Sequence, residues 1–243
     1  MQVTFRFYEE LNDFLNLKRQ KKSFTAEFNS QTSVKDAIES FGVPHTEVDL
    51  ILVNSNSVDF TYRLKPHDFV SVYPIFESID ISSTTNLRPT PLRVIKFVLD
   101  VHLGKLAKYL RLLGFDTLYS NSYSDTEIIN ISTIEKRIIL TRDIGILKNN
   151  LVTHGYWLRS QDSKQQLIEV IHRFDLKNKI NKFTRCIVCN GEIIKVDKIK
   201  IESKLEPKTR MFFNEFYQCK NCNKIYWYGS HYKNMLNFIN SIK

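Results

Sequence analysis

The chain has 243 residues, of which 42% are hydrophobic and 25% are charged. This balance is typical of a globular protein and excludes an intrinsically disordered chain. No apolar run approaches the roughly 20 residues that a membrane-spanning helix needs, so we do not expect an integral membrane protein.

The net charge of +9 is divided unevenly along the chain. Residues 1–80 contain 8 Lys and Arg against 12 Asp and Glu, whereas residues 81–243 contain 27 against 14. The resulting net charges of −4 and +13 favour a polyanionic partner, such as nucleic acid, for the second part alone. A general excess of lysine that serves only solubility is the alternative interpretation.

The first 78 residues predict the strand order of a β-grasp domain. The first ten residues alternate apolar and polar side chains, which predicts a strand at residues 3–7 and no signal peptide, and so a cytoplasmic protein. A second strand is expected at residues 24–28. A helix is expected to begin near Ser33 and to end at Gly42 and Pro44. Apolar runs at residues 51–53 and 69–73 predict the later strands.

Residues 49–54 and 64–74 resemble the small sulfur-carrier proteins, which are related to ubiquitin. Those carriers act through a C-terminal Gly-Gly that is adenylated and thiolated. Here Tyr73 and Pro74 continue into a further domain without a Gly-Gly. The resemblance therefore implies a ubiquitin-like fold without the carrier chemistry. We interpret residues 1–78 as a ubiquitin-like module that docks a protein partner, and the Ser-, Thr- and Pro-containing residues 79–92 as a linker.

From residue 93 onward, apolar strands alternate with helices, which predicts a parallel α/β domain over residues 93–180. Residues 94–99 form an almost continuous apolar strand. Leucines then follow helical spacing until Gly114 provides a stop. Further strands are expected at residues 117–119, 137–141 and 155–158, with helices after Ser124 and through residues 167–171.

Acidic residues follow the predicted strands of this domain. Asp100 comes directly after the first strand, Asp143 comes two residues after the third, and Asp125 and Glu127 open the helix after the second. Function in open parallel sheets gathers at the carboxyl ends of the strands, so we expect these side chains to converge. Converging carboxylates repel one another unless a cation lies between them. Hard oxygen ligands favour Mg²⁺ or Mn²⁺, as hydrolytic nuclease chemistry requires.

Each of these residues also has a structural interpretation. Asp100 alone is most simply a helix cap. Ser124 and Glu127 match a capping box, beside which Asp125 only complements the helix dipole. Asp143 has no evident capping role, so the metal-binding interpretation is strongest there.

Basic residues accompany the predicted acidic site. Lys105, Lys108 and Arg111 recur every three residues opposite the leucines, and Arg142 precedes Asp143. An ordinary solvated face is the simpler interpretation of this spacing. Beside an acidic metal site in the basic part of the chain, contact with RNA phosphates is the favoured one.

Three segments carry a second family resemblance: residues 97–100, residues 103–116 with their Leu-Gly-Lys-Leu-Ala run, and residues 138–143. They resemble the PIN-like ribonuclease family named after the C-terminal domain of the Mut-seven mutator exonuclease. Members of that family end in a zinc ribbon, and many bacterial ones begin with a ubiquitin-like domain. The resemblance implies a metal-dependent ribonuclease. It supports Asp100, Asp143 and Asp125 as ligands, with Glu127 or Asp162 as a fourth, although Asp162 alternatively caps a helix.

All four cysteines lie in two Cys-x-x-Cys pairs separated by 29 residues. Each pair places two thiolates on one tight turn, and two such turns make a closed tetrahedral site. Without a secretion signal, disulfides are not expected, and a redox site needs only one pair. We therefore predict a structural zinc ribbon over residues 181–243, with Cys186, Cys189, Cys219 and Cys222 as ligands.

The ribbon also contains aromatic and basic residues suited to RNA. Tyr226, Trp227 and Tyr228 are candidates for base stacking, although at least one of them is expected in the small ribbon core. The sequence thus predicts a metal-dependent ribonuclease with structural zinc and catalytic Mg²⁺ or Mn²⁺. The alternative is a non-catalytic RNA-binding adaptor with the same fold.

Overall fold

The structure, a computed structural model, describes residues 1–74, 87 and 95–240, apart from the side chains of His231 and Asn234. The chain forms two units, Met1–Val94 with Ser124–Leu158 and Ile95–Tyr123 with Arg159–Lys243. The predicted linker lies outside the described residues except for Leu87, which packs against the N-terminal core. None of the helices in the described ranges has the length and apolarity needed to span a bilayer.

The N-terminal domain is a five-stranded sheet with one helix. Strand β1 pairs in parallel with β5, and the other neighbours in the order β2-β1-β5-β3-β4 are antiparallel. This is the predicted ubiquitin-like β-grasp arrangement, and it is confirmed. The bounds are β1 Gln2–Phe7, β2 Phe24–Glu27, α1 Val34–Ser40, β3 Val48–Val53, β4 Asn56–Ser57 and β5 Phe69–Pro74.

An aromatic core holds this domain together. Val3, Phe5 and Phe7 alternate along β1 and are almost fully buried on one face. The ring of Phe41, directly after α1, contacts Phe5 edge-on with a centroid distance of 5.2 Å. Burial of such rings is the main source of stability in a domain of this size.

The first segment of the second unit contains β6 (Phe97–Leu99), α2 (Gly104–Leu112) and β7 (Thr117–Leu118). Strands β6 and β7 are parallel, as expected when a helix connects them. The strand expected at residues 94–99 is shorter, and residue 94 lies outside the described part of the chain. The helix buries Leu106 and Leu110, which confirms the predicted leucine face.

Residues 124–158 belong to the first unit. Helix α3 (Asp125–Glu135) leads to β8 (Ile138–Thr141), and the short helix α4 (Ile144–Leu147) leads to β9 (Gly155–Trp157), which is parallel to β8. The predicted parallel α/β fold is confirmed, whereas α4 was not predicted. The second unit continues with α5 (Ser163–Arg173), which packs against α2.

The C-terminal ribbon is an antiparallel sheet of three strands, in the order β10-β11-β12. Its long connection between the first two strands contains two short helices that the sequence did not predict, and a further helix follows the last strand. The bounds are β10 Ile193–Val196, α6 Lys198–Ile201, α7 Pro207–Phe212, β11 Phe216–Cys219, β12 Ile225–Trp227 and α8 Ser230–Asn240.

Within the first unit, the ubiquitin-like domain is hydrogen-bonded to the segment around β9. The His45 ring lies 2.8 Å from the carbonyl oxygen of Val152, and its other nitrogen lies 2.7 Å from the Glu39 carboxylate. The Glu47 carboxylate accepts a hydrogen bond of 2.6 Å from the backbone N–H of Trp157. The ubiquitin-like domain is thus part of the folded unit through residues 39–47.

Replacing Glu47 by Ala tests this contact. Glu47 is fully buried, and the substitution removes the acceptor of its hydrogen bond from the Trp157 N–H, so we expect the free energy of unfolding to fall by about 1–3 kcal/mol. Urea unfolding followed by tryptophan fluorescence measures the change. Glu27→Ala, on the exposed side of β2, is the control and should change stability by less than about 0.5 kcal/mol. Equal stability of the two variants would contradict the prediction.

Candidate metal centre and acidic residues

The four cysteines form one cluster. All four Sγ atoms lie within 4.8 Å of one another, with 3.6 Å between Cys186 and Cys222 and 3.4 Å between Cys189 and Cys219. All four are free thiols. A tetrahedral zinc ion with Zn–S bonds of about 2.3 Å separates its sulfur ligands by about 3.8 Å. The cluster therefore fits a structural zinc ion with a complete shell of four thiolates.

The two Cys-x-x-Cys turns have the same backbone structure. The N–H of Asn190 donates to the carbonyl oxygen of Cys186 at 2.9 Å, and the N–H of Asn223 donates to that of Cys219 at 3.1 Å. Both asparagines are in the left-handed region, with φ values of 69° and 58°. Asparagine tolerates this region better than most residues, which explains its place in both turns.

Tyr226, on β12, contacts the cysteine cluster through its hydroxyl group. Its hydroxyl group lies 3.0 Å from the Sγ atom of Cys186. Burial alone would raise the pKa of the Cys186 thiol, but hydrogen bonds from the Tyr226 hydroxyl and from backbone N–H groups lower it to about 6. Burial in turn raises the pKa of Tyr226, so its hydroxyl stays protonated and donates to the thiolate. Tyr226 thus packs against the cysteine site, as expected for at least one of the three candidate stacking residues.

Arg111 is almost entirely buried, and its assignment to the phosphate-binding set is wrong. Its side chain is only 3% exposed. The Nε atom donates to the carbonyl oxygen of Thr117 at 2.9 Å, and one terminal nitrogen donates to those of Ile187 and Val188 at 3.2 and 2.9 Å. Ile187 and Val188 are the two residues between the first pair of cysteines. The guanidinium therefore anchors the first cysteine turn to α2 and β7.

Asn190 makes a second connection between the same segments. Its side-chain oxygen accepts from the N–H of Thr117 at 2.9 Å, and its amide nitrogen donates to the Asp116 carboxylate at 2.7 Å. Arg185 forms an ion pair with Asp116 at 3.7 Å. The ribbon and the segment containing α2 and β7 thus share a polar interface, which the sequence did not predict.

Asp100 directly follows β6, as predicted, and is 7% exposed. It occupies the N-cap position of a 3₁₀ helix, Val101–Leu103, but its side chain makes no capping hydrogen bond to that helix. The capping interpretation of its side chain is therefore wrong. A carboxylate this deeply buried requires a compensating cation or hydrogen-bond donors.

The second unit contains a polar cavity of about 580 Å³. Val101, which directly follows Asp100 in the chain, is one of its lining residues. Lys105 and Lys108 are exposed and line it together with Tyr119, so the two lysines of the predicted phosphate stripe share one cavity. A Cβ atom at Gly104 would lie 2.7 Å from the Tyr119 hydroxyl, which explains the glycine in the Leu-Gly-Lys run. Asp162, a candidate fourth ligand, also lines the cavity. The sequence did not identify the other polar lining side chains, most of which come from separate segments: His102, Tyr119, Gln161, Ser163 and Gln166.

Asp143 is a helix cap, contrary to the prediction that it had no capping role. Its Oδ1 atom accepts a hydrogen bond of 2.7 Å from the N–H of Gly145, at the start of α4. The residue is exposed. Among the described residues, none donates a hydrogen bond to its Oδ2 atom. The cap therefore orients the carboxylate and uses one of its two oxygen atoms.

The other acidic candidates are also at helix starts. Glu127 accepts hydrogen bonds from the N–H and hydroxyl of Ser124 at 2.7 and 2.9 Å, which confirms the capping box and lowers the pKa of Glu127. Asp162 caps α5 through two N–H groups at 3.0 Å, which confirms its alternative role. Asp125 is the exposed first residue of α3.

The acidic residues are distributed over both units. Asp125, Glu127 and Asp143 belong to the first unit and Asp100 to the second. A compact metal site requires ligand atoms that all lie within 4.8 Å of one another. Among the described residues, only the four cysteines meet this criterion, so the three carboxylates of the first unit do not form such a group. Arg142 is exposed, and its phosphate contact, like the convergence on a metal ion, stays a prediction.

Replacing Tyr226 by Phe should weaken zinc binding. The substitution keeps the ring but removes the hydrogen bond to Cys186, and loss of such an outer contact typically costs about tenfold in metal affinity. Zinc release to a colorimetric chelator measures the effect. Tyr228→Phe, whose hydroxyl contacts Tyr217 and not a cysteine, is the control. Indistinguishable release from both variants would exclude a role for the Tyr226 hydroxyl.

Replacing Arg111 by Met should destabilise the second unit. The change leaves the carbonyl groups of Thr117, Ile187 and Val188 without their cationic donor, at a cost on the order of 3 kcal/mol. Thermal unfolding of the zinc-loaded protein measures it. Lys108→Met, on the exposed side of the same helix, is the control and should leave Tm almost unchanged. If both variants unfold alike, the anchoring role is refuted.

Comparison with known protein families accounts for both parts of the chain. The family model of the Mut7-C ubiquitin domain matches residues 1–80, and that of the Mut7-C RNAse domain matches residues 95–239. Neither the curated proteins nor the solved structures include a significant match. The RNAse-domain match points to a nuclease. The chain therefore belongs to the Mut7-C RNAse family and carries the Mut7-C ubiquitin domain at its N-terminus.

Proposed function

We propose that the protein is a cytoplasmic, metal-dependent ribonuclease that hydrolyses phosphodiester bonds of RNA. The observation that carries this proposal is the polar cavity lined by Lys105, Lys108 and Asp162. Its first lining residue, Val101, directly follows Asp100 in the chain. A polar cavity that contains two lysines and one candidate metal ligand suits a phosphate chain that approaches a bound ion. The match to the RNAse domain supports the same reaction class.

Carboxylates are the donor set that this function requires. Asp100, Asp125 and Asp143 are proposed to hold Mg²⁺ or Mn²⁺, and hard oxygen donors fit either ion. Magnesium commonly keeps several waters and binds through one or two carboxylates with substrate phosphates, so a preformed cage of three is not required. When bound, the ion supplies an activated water and stabilises the negative charge that develops on the phosphodiester.

The basic side chains have a separate task. Lys105 and Lys108 are proposed to bind and orient the RNA phosphates in the cavity, and Arg142 to contact the backbone near Asp143. Both lysines lie in the first two turns of α2. They are three residues apart, about one helical turn, so their side chains project from the same face of the helix. The zinc ion is proposed to be structural, because its four thiolates leave no position for water or substrate.

The alternative function is a non-catalytic RNA-binding adaptor. The observation in its favour is that Asp143, Glu127 and Asp162 each cap a helix, a role that explains these residues without a metal ion. The adaptor would bind RNA with the same salt dependence but would not cleave it.

Substitutions that preserve the caps separate the two functions. Asparagine caps helices as well as aspartate does, and a capping box accepts glutamine, so Asp143→Asn and Glu127→Gln remove charge with little change in stability. We expect wild-type protein to cleave a mixed RNA panel with Mn²⁺ or Mg²⁺. Asp143→Asn should reduce the rate by at least about a hundredfold.

The same assay identifies the fourth ligand. Of Glu127→Gln and Asp162→Asn, the variant that loses activity marks the residue that binds the ion, and both keep their caps. Thermal unfolding of each variant checks the fold. Normal cleavage by Asp143→Asn would refute the acidic-site assignment, and RNA binding without cleavage by the wild type would establish the adaptor.

A further inference from the structure

The second unit contains another cavity, of about 450 Å³, between the ribbon strands and α8. We call it the aromatic cleft. Its lining is mostly apolar and comes from the segment before the first cysteine turn, from strands β10 to β12 and from α8. The aromatic residues of the lining are Phe183, Tyr217, Tyr226, Trp227, Tyr228 and Tyr232.

Several of these rings hold one another in place. Tyr232 contacts Phe183 with a centroid distance of 4.5 Å and Tyr228 edge-on at 4.6 Å. The hydroxyl groups of Tyr217 and Tyr228 lie 2.8 Å apart. Tyr228 remains 42% exposed, so one ring of this cluster is accessible from solvent. The cleft therefore presents fixed aromatic rings to a ligand, and few rotations are lost when the ligand binds.

The charged residues of the cleft are all cationic. Lys182, Arg185 and Lys195 line it, and no Asp or Glu is among the described lining residues. Lys182 and Lys195 are exposed; Lys195 forms an exposed ion pair with Glu215 at 3.6 Å, and Arg185 is paired with Asp116 at 3.7 Å. The hydrogen bond between the Tyr228 and Tyr217 hydroxyl groups, together with burial, raises the pKa of Tyr228 to about 12, so the accessible phenol carries no negative charge at neutral pH. The cleft thus combines aromatic rings with a positive rim.

We propose that the aromatic cleft binds an unpaired nucleobase of single-stranded RNA, with Lys182 and Lys195 contacting the adjoining phosphates. Base stacking on aromatic side chains beside cationic groups is the usual means of holding single strands. The cleft volume is that of a small-molecule site. Apolar peptides do not need the cations, and the absence of carboxylates in the described lining disfavours a basic partner. This inference rests on the proposed RNA substrate and deepens it.

Trp227 gives a direct readout of the cleft. It lines the cavity, and the only other tryptophan of the chain is Trp157, in the first unit. The full chain carrying Trp157→Phe and Asp143→Asn therefore reports on the cleft alone and is not expected to cleave RNA. It is titrated in the zinc-bound form, without added Mg²⁺ or Mn²⁺, with a short oligoadenylate and with an RNA duplex of equal length. We expect saturable quenching by the single strand and much weaker quenching by the duplex.

Two variants in this background test the stacking ring. Tyr228→Leu keeps an apolar side chain but removes the exposed ring, and we expect it to weaken single-strand binding by about tenfold. Phe212→Leu is the matched control, because Phe212 is a 70% exposed aromatic residue of the ribbon outside the cleft. Its affinity should stay within about twofold of the parent.

A second pair of variants tests the positive rim. Lys195→Gln should reduce the slope of log affinity against log salt concentration by about 0.7, the value for one phosphate contact on a single strand. Lys200→Gln, which removes an exposed lysine of α6 outside the cleft, is the control for net charge. A reduction of equal size in both variants would mean that the effect is general electrostatics and would overturn the rim contact.

The remaining outcomes distinguish this inference from the proposed function. Equal affinities of Tyr228→Leu and Phe212→Leu, or equal quenching by duplex and single strand, overturn the cleft as a nucleobase site even if the wild type cleaves RNA. Trp227 fluorescence that depends on protein concentration without RNA would assign the cleft to a second copy of the chain and would also overturn it. Binding in the cleft without cleavage by the wild type would support the cleft while refuting the nuclease.

Discussion

The structure of the second unit depends on one buried cation. Arg111 is removed from water, and burial lowers its pKa, while the nearby thiolates of Cys186 and Cys189 favour its charged form. A charge is stable in such a place only where donors and acceptors are paired, and the carbonyl oxygens of Thr117, Ile187 and Val188 provide the acceptors. The carbonyl groups of Ile187 and Val188 reach the guanidinium only when the first cysteine turn has formed, because both residues lie within that turn. The fold of α2 and β7 is therefore linked to the fold of the cysteine site.

This linkage changes how the ribbon should be regarded. Zinc binding contributes its free energy to whatever folds together with the ligands. Because Arg111 and Asn190 join the first cysteine turn to β7, a zinc ion bound by the four cysteines would stabilise the segment that carries Lys105 and Lys108 as well as the ribbon itself. A zinc site with four thiolates carries a net charge of about −2, which a buried guanidinium partly offsets. The ribbon is thus a structural part of the nuclease region and not an appendage.

The sequence allowed prediction where the signal is local or periodic. The alternation at Val3–Phe7, the leucine face of α2 and the two Cys-x-x-Cys pairs each define their element within a few residues, and all are confirmed. Arg111 could not be predicted, because its three-residue spacing from Lys108 matches a solvated face and its acceptors lie 76 and 77 residues away. The cap at Asp143 depends on α4, which at four residues is too short to show helical periodicity.

The helix caps also constrain how the acidic residues can act. A carboxylate at a helix N-terminus is oriented by the N–H groups it accepts from, and this reduces the freedom that must be lost on binding an ion. The positive end of the helix competes with the ion for the same charge, so a capping carboxylate is a well-placed but weakened ligand. Asp143 is a capping carboxylate of this kind, because its Oδ1 atom accepts from the N–H of Gly145. Asp100 differs, since it is buried and its side chain does not cap its helix. The backbone at each strand end therefore determines how each carboxylate is held: the start of α4 orients Asp143, whereas Asp100 is held by its burial.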